Sequence, residues 1–207
     1  MSFNRSLRGV EQYYSEKIRT YGATARGVDW NSPRSQELRF EQLLKVCDSS
    51  EAFTINDYGC GYGALVEYMT DRGYAFAYRG FDLSGEMIAK AKGLHQGLGH
   101  CQFFTDESLL TTADYTVASG VFNVKLKIPD EVWGDYMLQS LQRISLLSGK
   151  GFAFNNLTKY SDRDHMRSDL FYADPCVLFD YCKTKFSRHV SLLHDYGLYE
   201  FTILVRK

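Results

Sequence analysis

Residues 55–63 read INDYGCGYG: Ile55 and Asn56 close an apolar run, Asp57 follows, and Gly59, Gly61 and Gly63 stand on alternate positions. Glycine loses more conformational freedom on folding than any other residue, so three of them at the end of a strand mean that the bare backbone must approach something closely. FTIND ahead of the stretch reads as a short buried strand. ALVEYMTDRG behind it reads as a helix closed by Gly73. A glycine turn that opens a helix presents free N–H groups and a partial positive charge, which is a place for a ligand.

Working outward, the same alternation repeats. Ser32 and Pro33 supply an N-cap and first helical position for PRSQELRFEQLLKVC, where Leu38, Gln42, Leu43 and Val46 recur at helical spacing. YAFAYRGFDL is a second strand, and Ser84 caps the helix GEMIAKAKGL. CQFFTD and TADYTVASGVF are the third and fourth strands. DEVWGDYMLQSLQRISLLS is an amphipathic helix ending near Gly149, and KGFAFNNLT is the fifth strand. Asp174 and Pro175 start a helix, and RHVSLLH and YEFTILVR, joined by DYGL, form a terminal hairpin. Strands alternating with helices predict an α/β fold with a mostly parallel sheet between two helical layers and an antiparallel C-terminal hairpin strand. Ligands of such sheets sit beyond the carboxyl ends of the strands, where strand order reverses. The glycines lie there.

The chain of 207 residues is 44% hydrophobic with a net charge of -1, which fits one domain, 1–207, with residues 1–31 as an N-terminal extension or lid. Twenty-four basic against 25 acidic side chains give no field for a polyphosphate, so nucleic acid is disfavoured as a partner. The five cysteines include no CxxC pair and read as free thiols. No signal peptide or bilayer-length apolar run is evident, so a cytoplasmic protein, monomeric or homodimeric, is expected.

The spacing of the loop is GxGxG. A dinucleotide loop places its third glycine at the position of Ala64 here, and a carboxylate at Asp57 would repel a pyrophosphate while suiting an ammonium. Asp82 ends the second strand, where a carboxylate can accept both ribose hydroxyls, and Asp106 follows the third, within reach of an adenine amino group. A nucleoside carrying an amino acid satisfies all three.

In INDYGCGYG, GFDLSGEMI and, more weakly, ADYTVASGVFN and KGFAFNNLT, the chain resembles the class I, Rossmann-like S-adenosylmethionine-dependent methyltransferases over about residues 40 to 207. The resemblance implies a seven-stranded sheet with a reversed last strand and S-adenosylmethionine as cofactor, with S-adenosylhomocysteine as product. It implies that Gly59, Gly61 and Gly63 lie under the methionine moiety, that Asp57 holds the amino group and Asp82 the ribose, and that Leu83 and Met87 pack on the adenine. Asp106 would take the adenine amino group, and Ser119 and Gly120 would line the cofactor from the fourth strand.

The acceptor is less legible. The Asn/Asp-Pro-Pro-aromatic loop by which methyltransferases of exocyclic base nitrogens resemble one another is missing after SGVFN, and Pro175-Cys176 follows the fifth strand and not the fourth. A small-molecule acceptor with an oxygen or nitrogen nucleophile is therefore expected, methylated by direct displacement without a metal, since the histidines show no ligand spacing. Tyr13, Tyr21, Trp30, Asn123 and Asn155 are candidate acceptor contacts, the aromatic ones as parts of a lid. His194, at the end of the sixth strand, is the candidate general base. An RNA or protein methyltransferase of the same fold, and a cofactor-binding protein without catalysis, remain open as alternatives.

Overall fold

The computed structural model describes residues 3–207, with side chains from Leu7 onward; the first two residues of the expected extension lie outside the described residues. Seven strands, β1 (Phe53–Tyr58), β2 (Phe76–Phe81), β3 (Cys101–Phe104), β4 (Ala113–Ala118), β5 (Ser148–Leu157), β6 (His189–Leu193) and β7 (Glu200–Arg206), form one sheet in the order β3-β2-β1-β4-β5-β7-β6. Only β7 runs against its neighbours, β5 and β6. The order reverses between β1 and β4, so the loops after these two strands border the crevice where ligands of such sheets bind.

Strand alternation separates two cores. On β5, Phe152 and Phe154 face one side and Ala153 the other; on β7, Ile203 and Val205 face one side and Leu204 the other. The layer containing Ile55, Val117, Ala153 and Leu204 is covered by α2 (Pro33–Leu44), α3 (Ala64–Asp71) and α4 (Gly85–Leu94) through Leu43, Leu65, Met69 and Ile88. The opposite layer is covered by α5 (Asp130–Leu146) and α6 (Pro175–Lys185) through Leu141, Ile144, Leu178 and Cys182. Each fully buried Phe or Leu contributes about 1.5–3 kcal/mol, so the double-faced burial accounts for the near-continuous apolar runs of β4 and β5. Phe154→Ala would cost about 3–5 kcal/mol at such a site.

Two boundaries differ from the expectation. The helix expected to end near Gly149 ends at Leu146, and Gly149 is inside β5. The terminal carbonyls need no glycine because the Ser148 hydroxyl donates to Ile144 O at 2.6 Å. Residues 12–21, which show only weak helical periodicity, belong to α1 (Phe3–Tyr21). Its stripe is narrow, Val10, Tyr14 and Ile18 at intervals of four, and its stability comes from what that stripe meets. Val10 packs with Ile128 and Trp133, and Ile18 packs with Tyr62 and Met87. α1 therefore lies across the loops that follow β1 and β4. It is fastened to α4 by a hydrogen bond of 2.7 Å between the Ser15 and Ser84 hydroxyls, and by Arg19 Nε donating to Glu86 at 2.8 and 2.6 Å.

Candidate functional site

The site is built around the loop after β1. Gly59, Gly61 and Gly63 all adopt positive φ, at 82°, 55° and 81°. At Gly61 a Cβ would stand 2.9 Å from Val28 Cγ1, under the turn that follows α1, so both the backbone conformation and the space call for glycine. The loop is tied to the end of β2: Gly59 N and Cys60 N donate to Phe81 O at 2.8 and 2.9 Å, and Gly61 N donates to Asp82 Oδ2 at 2.9 Å. Asp82 Oδ1 accepts from Ser84 N at 2.9 Å, and the Ser84 side chain caps α4. Each Asp82 oxygen still has a lone pair to offer.

These groups face a cleft with about 910 Å³ of empty space. Asp57, Gly59, Gly61, Asp82, Leu83, Met87, Ser119, Gly120 and Trp30 line it, nine of the residues that the sequence nominated. Asp57 is 3% exposed, accepts the Tyr78 hydroxyl at 2.8 Å, and is pushed up to about 7 by burial, partly offset by that hydrogen bond. Burial likewise raises Asp82 to about 6, against the two backbone bonds that favour its charged form. Both carboxylates thus lie in a low-dielectric wall where a cation is their natural complement. Ser119 Oγ is buried with no hydrogen-bond partner. The Cys60 thiol, also in the wall, is held protonated by burial and is no nucleophile.

A second cleft with about 980 Å³ of empty space adjoins the first, sharing Tyr14, Val28 and Trp30 with it. Its own walls include Asn31, Arg39, Asn123, Arg167, Tyr172 and Glu200. Tyr14 reaches both clefts, and burial, with Asp29 next, raises its phenol far above the ordinary value, so it stays a donor. Asp29, in the left-handed conformation at φ 63°, turns the chain so that Trp30 enters both cavities. The Asp29 carboxylate accepts from Tyr13 Oη at 2.6 Å and from Lys17 Nζ at 2.5 Å, which fixes this turn to α1.

Other nominated residues are placed elsewhere. Asp106 is exposed and caps the short turn Glu107–Leu109, accepting Ser108 N at 2.9 Å, and it lines neither cleft. Gly63 caps α3 and faces His95 and Phe103 without lining the cleft. Tyr13 is taken up by Asp29, and Tyr21 is 45% exposed at the end of α1. Asn123 lines the second cleft and accepts Leu157 N at 3.1 Å; Asn155 is wholly buried and supports the wall from behind, its Oδ1 accepting Gly120 N at 2.7 Å. His194 is exposed and borders neither cleft, its ring lying near Tyr160 and Phe201, so the expected general base is not at the site.

Sequence reasoning named Tyr14 with the lid aromatics, and missed Arg39 and Glu200. Both had a signal: a lone Glu opening the apolar run EFTILVR, and an Arg among the core positions of RFEQLL. Among the described residues, the acidic and histidine side chains close enough to share an ion are Asp162, Asp164 and His165, all exposed. Among the same residues no helix is long and apolar enough to cross a membrane.

No family model matches the chain. A Mycobacterium tuberculosis protein whose name places it provisionally among the methyltransferases is 49% identical over 164 residues, 79% of this chain and 99% of that relative. The N-methyltransferase NodS from Bradyrhizobium japonicum, in complex with S-adenosyl-L-homocysteine, superposes with a TM-score of 0.67 at 16% identity, covering 95% of this chain and 97% of that one. A SAM-dependent methyltransferase from Aquifex aeolicus gives 0.60 at 19% identity, covering 93% and 97%. At such identities the two structures establish likeness of fold.

Proposed function

The chain belongs to the class I S-adenosylmethionine-dependent methyltransferases, and from that premise we propose that it binds S-adenosylmethionine in the first cleft and methylates a small molecule held in the second. The observation that carries this reading is the bond from Gly61 N to Asp82 Oδ2, which joins the glycine loop to the carboxylate at the end of β2. The residues present fit the cofactor. Asp82 keeps acceptor capacity for ribose hydroxyls, Leu83 and Met87 supply an apolar slab for a base, and Ser119, whose Oγ is buried without a partner, belongs to the same wall. Asp57 complements an ammonium, which would draw its proton off.

When bound, the cofactor supplies an electrophilic methyl on a sulfonium. This chain's part is to align and to exclude water: α1 and Trp30 roof the first cleft, while Asn123 and Trp30 border the second. Asn123 and Trp30 would hold the acceptor's oxygen or nitrogen toward the first cleft, in line with the group that the cofactor supplies. His165 lies in the wall of the second cleft beside Asp164, and we read the reaction as direct displacement by positioning. A cleft walled by the aromatic side chains of Tyr14, Trp30, Tyr172 and Tyr199, in a chain of net charge -1, favours a small organic acceptor over a nucleic acid.

Calorimetric titration with S-adenosylmethionine, S-adenosylhomocysteine and NAD tests the cofactor assignment, and a labelled-methyl screen of small molecules, RNA and protein tests the acceptor class. Binding of the two sulfur compounds and not of NAD is expected. Binding of neither would overturn the assignment, and transfer to RNA or protein alone would overturn the acceptor.

A further inference from the structure

We propose that Glu200 is a positioning residue that holds Trp30 as the partition between the two clefts and thereby sets the aperture through which an acceptor meets the methyl group. This rests on reading the first cleft as the cofactor's and the second as the acceptor's.

Five residues form a closed ring. Glu200, 1% exposed at the start of β7, accepts Arg39 Nη2 on Oε1 at 2.6 Å and Arg39 Nε on Oε2 at 2.8 Å. The Arg39 guanidinium lies 3.8 Å over the centroid of the Trp30 ring. Trp30 in turn presses on Gly120, where a Cβ would stand 2.2 Å from Trp30 Cη2. Gly120 N donates to Asn155 Oδ1 at 2.7 Å, and Asn155 Nδ2 donates to Glu200 Oε2 at 2.5 Å. The ring thus links α2, β7, β5, the loop after β4 and the turn ahead of α2.

Each member needs its chemistry. Arg39 has a planar fork that pairs bidentately with a carboxylate while offering its flat face to an indole, which an ammonium cannot do. Its remaining nitrogen, Nη1, donates to Ser35 O at 2.7 Å, so the plane is fixed on three sides. Asn155 relays between an N–H and a carboxylate, which requires a donor and an acceptor on one side chain. Glu200 also accepts from Asn123 Nδ2 at 3.4 Å, and Asn123 lines the second cleft. One buried carboxylate therefore reaches the loop that borders the first cleft and a wall of the second.

The consequence is mechanical. In-line displacement requires the acceptor atom within about 3–3.5 Å of the methyl, so the acceptor must pass the edge of the indole. A partition held by a buried ion pair keeps one position; a loosened one would widen the opening and admit water.

Acrylamide quenching tests this, because the chain has two tryptophans and Trp133 is fully buried, leaving Trp30 to report. Glu200→Gln and Arg39→Lys should each raise the quenching constant about threefold in the free protein, having lost the stack or what holds it. Leu141→Ala, a core change in the α5 layer, should lower the thermal midpoint without altering quenching. Unchanged quenching in the folded Glu200→Gln and Arg39→Lys proteins overturns the proposal, and so does an equal change in Leu141→Ala. If Glu200→Gln does not fold, Arg39→Lys decides alone. Failure of S-adenosylhomocysteine to bind the wild type would be seen separately by calorimetry and would overturn the cofactor reading, while the quenching contrast still decides whether Glu200 holds Trp30.

Discussion

The carboxylate of Asp82 accepts the amide of Gly61 at 2.9 Å, so the acidic end of β2 and the middle of the glycine loop are one mechanical unit. A change on either side is felt by both.

Asp82→Ala removes that bond, the bond to Ser84 N and the proposed ribose contact together. S-adenosylhomocysteine affinity should fall about 10- to 100-fold, as expected for one or two charge-assisted hydrogen bonds. An unchanged dissociation constant by calorimetry would remove Asp82 from the site.

Gly61→Val asks a β-branched residue to hold φ 55° with its Cβ 2.9 Å from Val28. The strain is about 1–3 kcal/mol, and the new side chain lies in the wall of the first cleft. Binding of S-adenosylhomocysteine should be lost while circular dichroism reports a folded chain. Tight binding by this variant would mean that the loop is only a turn.

Asp57 sits at about 7 in the fold against an ordinary 3.8. Between about pH 4 and 7 the folded chain therefore retains a proton that the unfolded chain has released, and stability falls as pH rises through that window. Asp57→Asn, which can still accept the Tyr78 hydroxyl, should exceed the wild type by about 1–2 kcal/mol at pH 8 and match it near pH 4. Thermal midpoints at pH 4, 6 and 8 check this; a difference independent of pH would refute it. The same substitution should weaken a ligand that carries an ammonium group.

Ser84 caps α4 and bonds Ser15 on α1, whereas Arg19 and Glu86 pair at the surface of the same two helices. Ser84→Ala should cost about 2 kcal/mol, the loss of a cap plus a stranded buried hydroxyl. Arg19→Ala should leave the denaturant midpoint where it was, because exposed ion pairs contribute little. Equal losses would show that the outer pair, and not the serines, fastens α1.

What the sequence made legible was local or periodic. The glycines, Asp57 and Asp82 follow from residue types at fixed distances from strand ends, and the strands of an α/β sheet announce themselves because both faces are buried. Asp106 is ambiguous because the same position after a strand also suits a cap, and Ser108 two residues on supplies an N–H that one of its oxygens accepts. His194 was placed with the site by its carboxyl-end position alone, which does not reveal that β6 is far in strand order from the point where the order reverses between β1 and β4. α1 was obscure because its stripe is narrow and gains its stability from Tyr62, Met87, Ile128 and Trp133, residues distant in sequence. Arg39 and Glu200 were invisible as a pair for the same reason, since no spacing rule connects residues 161 apart.

That separation has a kinetic meaning. Contacts so remote in sequence form late, after the loop entropy between them has been overcome. Until β7 pairs with β5, Arg39 lacks the counter-charge of Glu200 and β5 has an unpaired edge. Seating β7 therefore does two jobs in one step: it pairs the edge of β5 and brings Glu200 to the guanidinium that lies over Trp30. A molecule with β7 unseated would have neither, so the integrity of the sheet and the ion pair behind Trp30 stand or fall together.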